Sequence, residues 1–446
     1  MMNRISTKDT FTIGLMLFAL FFGAGNMIFP PSLGQGAGTS LWVAILGFLA
    51  TGVGLPLLAV TAIARMGGDL QDLASRVHPK FSVVFTFSIY LAIGPLLAIP
   101  RTGTVAFEMG AVPFLPTVLN AQGWPLFVYT LVYFGITYWL ALNPSKLVGR
   151  IGNLLTPVLL IVIAVLVLRA IFSPLDDIGA PSEAYAEAPF FKGLIEGYFT
   201  LDALAALVFG IVVISAVQSQ GVTDRRALTA ATIKAAVIAA IGLSLVYVSL
   251  GYVGAISLSL LGPTGNGGEI LSTVAHHLLG TSGSVLLGVA ITLACLTTSV
   301  GLVTACGEYF TKLWPSVSYH TFVVGLALFS MGLANMGLNQ ILAFSVPVLL
   351  ALYPLAMTLI ALSFISRLAG ASRVYVGAMI GTAIVSIVDA LKSAGLNMES
   401  MVALFGSLPL YDLGLGWVLP AVIGGGIGYV LEKGKSQGEQ VKRKVS

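Results

Sequence analysis

The chain has 446 residues, 57% of them apolar and only 9% charged, with a mean hydropathy of +0.97; a soluble globule carries roughly 25% charged residues and could not cover its surface with so few. The net charge of +4 is scattered between apolar stretches instead of forming one stripe, so nucleic acid is not an expected partner. There is no Gly-rich loop ending in Gly-Lys-Ser/Thr and no His/Cys cluster at metal spacing, so ATP-driven work and enzyme chemistry are not expected.

The predicted architecture is an all-α membrane protein of about twelve transmembrane helices. Cutting at charges, prolines and glycine clusters places them at 10–32, 41–64, 82–109, 125–142, 152–172, 192–216, 230–255, 283–311, 319–335, 340–364, 373–391 and 414–431. About 20 residues cross a bilayer, and the charge-free segment from Thr10 to Ala64 has room for two spans joined by a Gly/Pro-rich turn. The first apolar run is too long for a signal-peptide core and has no small-residue cleavage pattern, so this helix is expected to be retained. With both termini cytoplasmic, most Lys and Arg fall inside, among them Arg4, Arg65, Arg76, Lys80, Arg225, Arg226, Lys312 and Arg367. The outer loops then hold mainly acids such as Asp176, Asp177, Glu183, Glu187 and Glu269. Cys295 and Cys306, eleven positions apart in one apolar segment, are too distant for a disulfide along a straight helix and read as packing residues.

Interruptions at membrane depth carry the chemistry, because unpaired backbone is tolerated there only where it is buried in protein or lines a cavity. In the first helix, Gly23-Ala24-Gly25-Asn26 is followed by Pro30-Pro31. The alternatives are an unwound segment offering peptide N–H and C=O groups to a ligand, or small residues for close helix packing. In the sixth helix, Tyr198-Phe199-Thr200-Leu201-Asp202 puts a carboxylate inside an apolar stretch, either as a functional group or as a structural hydrogen-bond acceptor. In the eighth, Ala294-Cys295-Leu296-Thr297-Thr298-Ser299 offers adjacent hydroxyls, suited to a cation or merely bonded back to their own helix. Arg101 and Glu108 share a face of the third helix but are too far apart for a direct contact; the readings are a gate or pairing role or, more blandly, snorkelling at the helix's outer end. Glu308 and Asp389 are further boundary charges, and His276-His277 read as solvated outer-loop residues.

The two interrupted helices are five apart. That offset predicts an inverted repeat of 10–172 with 192–364, followed by two extra helices over 373–431, as in carriers with a midplane site at discontinuous helices 1 and 6. A half-helix N-terminus suits a carboxylate and exposed carbonyls suit an ammonium or a cation. A zwitterionic amino acid satisfies both, and Phe21, Phe22 and Phe199 would favour an aliphatic side chain. A channel reading lacks a filter motif, and a receptor reading lacks a soluble output domain.

Phe18 to Pro31, Gly94-Pro95-Leu96-Leu97-Ala98-Ile99-Pro100-Arg101-Thr102, Gly193 to Asp202, Ser345 to Leu349 and Tyr353-Pro354 resemble the bacterial branched-chain amino acid carriers of the LIVCS family, the BrnQ type, over essentially the whole chain. The resemblance implies Na⁺-coupled uptake of leucine, isoleucine and valine across the inner membrane. Gly23-Ala24-Gly25-Asn26, Phe199-Thr200-Leu201 and Leu296-Thr297-Thr298-Ser299 are more distantly similar to motifs of sodium symporters of the leucine-transporter fold. That likeness implies one Na⁺ held by the carbonyls of Ala19, Phe22 and Ala294 with the hydroxyls of Thr297 and Thr298. It implies a substrate carboxylate on the N–H groups of Ala24 and Gly25 and an ammonium on the carbonyls of Phe21 and Phe199, within a site that also includes Gly23, Asn26, Thr200 and Asp202. Two departures stand out: residues 230–255 contain no Asn for a second Na⁺, and Asp202 occupies a position where those symporters often carry a small residue. The alternative is a proton-coupled carrier or exchanger using Asp202.

Overall fold

The computed structural model describes residues 5–66, 68–116, 123–142, 144–173, 175, 177–365 and 371–445, with backbone alone for 144–156 and 434–445; Arg4, Asp176 and Arg367 lie outside the described residues. Among the described residues the chain is helical throughout, without a strand. Eight helical stretches, from Ala24–Met66 to Ser372–Ser393, are long and apolar enough to cross a bilayer, and Pro157–Phe172 and Tyr319–Ala334 are shorter apolar helices.

Helix α1 (Thr7–Phe21) starts at Ser6, whose Oγ accepts the Asp9 N–H at 3.0 Å, one of the orphan donors at a helix start. It ends where Phe22 and Gly23 turn extended, and α2 (Ala24–Ala37) resumes immediately. The next crossing is α3 (Leu41–Leu49), a π turn at Ala50–Gly54 and α4 (Leu55–Met66), followed by the short α5 (Leu70–Ser75).

The third crossing is not the unbroken helix expected over 82–109. It consists of α6 (Pro79–Leu91), a π turn at Ala92–Leu96 and α7 (Ala98–Gly110), with Gly94 non-helical at φ −92° and ψ −121°. Pro95 has no N–H to donate and disfavours helical backbone in the residue before it, which is the physical reason for the break. Helices α8 (Trp124–Ala141) and α9 (Pro144–Phe172) complete the first half.

After α10 (Glu183–Ala186), the sixth crossing mirrors the first: α11 (Pro189–Glu196), a 3₁₀ turn at Gly197–Thr200, Leu201 in the left-handed region at φ 69°, then α12 (Asp202–Ser219). There follow α13 (Arg225–Ala255), α14 (Leu258–Leu261) and α15 (Gly267–Leu313), the last bent at Gly280. His276 and His277 therefore lie on the helical segment before that bend and not in a loop as expected, although they are exposed. Helices α16 (Tyr319–Ala334), α17 (Leu338–Ser363), α18 (Ser372–Ser393), α19 (Glu399–Phe405) and α20 (Val418–Val445) close the chain.

Close backbone approach holds the broken helices in register. A Cβ on Gly47 of α3 would overlap the Phe190 carbonyl, and one on Gly193 of α11 would overlap the Ala44 carbonyl. Small residues let membrane helices pack this closely where no hydrophobic effect drives them together. Large apolar side chains such as Trp42, Leu46, Trp139 and Leu245 face outward, as a surface solvated by lipid requires. Cys295 and Cys306 are both buried and free.

Candidate functional site

The two interrupted crossings meet in the protein interior through Asn26. Its Oδ1 accepts the Gly23 N–H at 2.9 Å, closing the start of α2. Its Nδ2 donates to Asp202 Oδ2 at 2.7 Å and also bonds the Tyr247 hydroxyl. Tyr247, from α13, donates to the same Asp202 Oδ2 at 2.6 Å. All three side chains are buried, and a buried carboxylate survives only with such donors around it. Asp202 is also the first residue of α12, where the helix dipole favours a negative charge.

Arg101 enters from α7, just past the Gly94-Pro95 break. Its Nη1 donates to the Phe199 carbonyl at 2.6 Å and its Nη2 to the Thr200 carbonyl at 3.2 Å, the very acceptors that the interruption of the sixth crossing exposes. The guanidinium lies over the Phe29 ring at 5.3 Å, while Nε has no hydrogen-bond partner. At 3% exposure, Arg101 does not snorkel to an interface. That expectation is corrected because the break at Gly94 aims α7 and its side chain inward.

Phe21, Gly23, Ala24, Gly25, Asn26, Arg101, Thr200, Asp202 and Thr298 all line one cavity of about 40 Å³, enough for a few water molecules and too small for an amino acid. Thr200 closes its own turn, Oγ1 donating to the Gly197 carbonyl at 3.0 Å. On the eighth crossing, the Thr297 and Thr298 hydroxyls donate to the Ala294 carbonyl at 2.8 and 3.0 Å. Thr298 faces the first break, since a Cβ on Gly23 would stand 3.3 Å from its Oγ1. The carbonyls that end α1, those of Ala19 and Phe22 among them, belong to a last turn with no intrahelical donors. Ala19, Phe22, Ala294, Thr297 and Phe199 are not part of the cavity lining. The Phe22 ring stacks on Phe18 at 5.1 Å, and the Phe199 ring packs on Phe29 at 5.6 Å.

Tyr247 and the inward Arg101 were not singled out as site residues by sequence reasoning. The signal for Arg101 was present, an arginine inside an apolar span just past a Gly-Pro pair; a lone tyrosine in a long apolar helix carries none. Asp389 lies apart from the site, bonded by the Tyr411 hydroxyl at 2.9 Å.

A wider cavity of about 360 Å³ opens on the α5 side, lined by Asp69, Gln71, Tyr90, Glu308 and Lys312, and Phe209 is common to it and to the small cavity. Toward the far end of α2, polar side chains bond across the helices. Gln35 Nε2 donates to Ser257 Oγ and the Gly262 carbonyl, both at 3.2 Å, and its Oε1 accepts the Thr264 N–H at 3.0 Å. Asn266 Nδ2 reaches Asn339 Oδ1 at 3.1 Å.

A family model described as "Branched-chain amino acid transport protein" matches residues 6–435. The chain is 56% identical over 433 residues to the branched-chain amino acid permease BraB of Bacillus subtilis, covering 97% of each. It is 50% identical over 423 residues to the branched-chain amino acid transport system 2 carrier protein of Pseudomonas aeruginosa, covering 95% of each. Among solved structures, the inward facing conformation of Mhp1 aligns with a TM-score of 0.64 at 16% identity, covering 96% of this chain and 91% of that one. MhsT in complex with L-phenylalanine aligns at 0.57 and 16% identity, covering 96% and 98%. The fold is thus that of the leucine-transporter-like carriers.

Proposed function

The chain belongs to the branched-chain amino acid transport protein family, a family of transporters and not enzymes, and from that membership we propose that it imports leucine, isoleucine and valine by Na⁺-coupled alternating access. The observation that carries this reading is the meeting of two broken crossings across one buried cavity, with Thr298 beside the first break. The start of α2 offers the N–H groups of Ala24 and Gly25 to a carboxylate. The carbonyls of Ala19 and Phe22 at the end of α1, with the Ala294 carbonyl and the Thr297 and Thr298 hydroxyls, would make a neutral set of hard donors suited to Na⁺. Residues 10–172 and 192–364 serve as the two inverted repeats, and both termini lie on the cytoplasmic side of the bacterial inner membrane.

Proteoliposomes carrying the full chain test this. Leucine should accumulate under an inward Na⁺ gradient, and Thr298→Ala should raise the half-saturating Na⁺ concentration about 10-fold or more, with Thr298→Ser close to wild type; accumulation driven by a proton gradient alone would refute Na⁺ coupling. A second reading has an observation of its own. Asp202 is a buried carboxylate whose hydrogen-bond donors, Asn26 and Tyr247, are both neutral. Such a group can carry a coupling proton, and the same assay under a pH gradient distinguishes the two.

A further inference from the structure

Arg101 presents an arrangement that the transport reading does not explain. A buried guanidinium is costly unless its donors are satisfied and its charge is met. Here two N–H groups reach the Phe199 and Thr200 carbonyls, and among the described residues Nε has no partner and no carboxylate lies within ion-pair distance. The nearby carboxylate, Asp202, is engaged by Asn26 and Tyr247. The carbonyls that Arg101 covers are those a broken helix would otherwise offer to a substrate ammonium. An arginine is thus seated where a positively charged substrate group should go, and its fork of donors matches a carboxylate in geometry and charge.

We propose that Arg101 binds the substrate carboxylate, and that substrate enters by exchange with it. This rests on the amino acid transport reading above. The incoming ammonium takes the Phe199 and Thr200 carbonyls, and the displaced guanidinium closes on the carboxylate. A zwitterion is the ligand class that completes this exchange without leaving a buried charge unmet. An amine lacking a carboxylate strands Arg101, and a 2-oxo acid lacking an ammonium leaves the carbonyls bare once the arginine moves. Gly25 belongs to the same device: a Cβ there would stand 2.6 Å from Arg101 Nη2, so glycine leaves the guanidinium its resting place against the first break.

The test is equilibrium binding of labelled leucine to the purified full-length protein, with unlabelled leucine, leucine amide, 3-methylbutylamine and 4-methyl-2-oxopentanoate as competitors. In the wild type, leucine should compete at least about 100-fold better than each of the other three. Arg101→Gln should weaken leucine about 10- to 100-fold, the range of a lost charge-assisted pair, and bring leucine and leucine amide within a few-fold of each other. Arg101→Lys should fall between, keeping the charge without the fork. Gly25→Ala, which crowds the guanidinium out of its resting place, should leave leucine binding at least as tight as in the wild type and preserve its advantage over the amide, which keeps the question answerable if Arg101→Gln fails to fold. Wild-type preference for leucine over its amide retained in Arg101→Gln or Arg101→Lys would overturn the exchange alone; failure of the wild type to bind any branched-chain amino acid would overturn the transport reading itself.

Discussion

Asn26 joins the two broken crossings, accepting from Gly23 and donating to Asp202. Asn26→Ala would leave a buried N–H without an acceptor and Asp202 Oδ2 with one donor instead of two. Each such loss costs about 1–3 kcal/mol, so the variant should melt several degrees lower in a thermal-shift assay. Asn26→Asp, which keeps the acceptor for Gly23 but places a second carboxylate against Asp202, should be at least as unstable; an unchanged melting temperature in both would show that the clamp is not needed. At this scale the sequence was legible where composition broke a pattern. Asp202 stood out as a carboxylate in an apolar stretch, and Gly23 to Asn26 stood out as small and polar residues in the middle of a span. Tyr247 was invisible, because its role comes from the crossing of α13 with α2 and α12, a tertiary fact that no local window contains. Arg101 was visible but misread, since its depth depends on a break seven residues earlier.

The helices differ in how plainly their sequences announce their shape. The first and sixth interruptions combine glycines with polar residues, and both were read correctly. The breaks at Gly94-Pro95 and Gly280 were not, because single prolines and glycines are common in unbroken membrane helices and neighbouring helices re-satisfy the freed groups. The sixth crossing adds a strained residue, Leu201 at φ 69°, a conformation that costs a non-glycine residue about 1–2 kcal/mol and persists where surrounding structure over-determines it. Part of that surround is the seam between α3 and α11. Gly193→Val should separate these helices, because a side chain there meets the Ala44 backbone, and overpacking of this kind costs about 1–3 kcal/mol. The expected outcome is a lower unfolding temperature with leucine binding weakened in parallel, whereas Gly135→Ala, at a position with open space around it, should leave both unchanged.

Taken as one body, the molecule has its wide cavity on the side of α5 and a hydrogen-bonded cluster around Gln35 toward the far end of α2. Ala305 lines the wide cavity, so Ala305→Cys, made in a chain whose buried Cys295 and Cys306 are retained, should react with a membrane-impermeant maleimide added from the α5 side only. Saturating leucine should slow that reaction, and labelling at equal rates from both sides would contradict the asymmetry. The cluster around Gln35 has an electrical consequence. If water fills the wide cavity as far as Phe209 and the hydrogen-bonded segment between Asp202 and Gln35 excludes it, the membrane voltage falls mainly across that segment. A unit charge crossing the full potential exchanges about 2.3 kcal/mol per 100 mV. In that case an ion leaving toward α5 moves through little of the field, and nearly all the voltage dependence of a transport cycle falls on the steps that open and refill that segment.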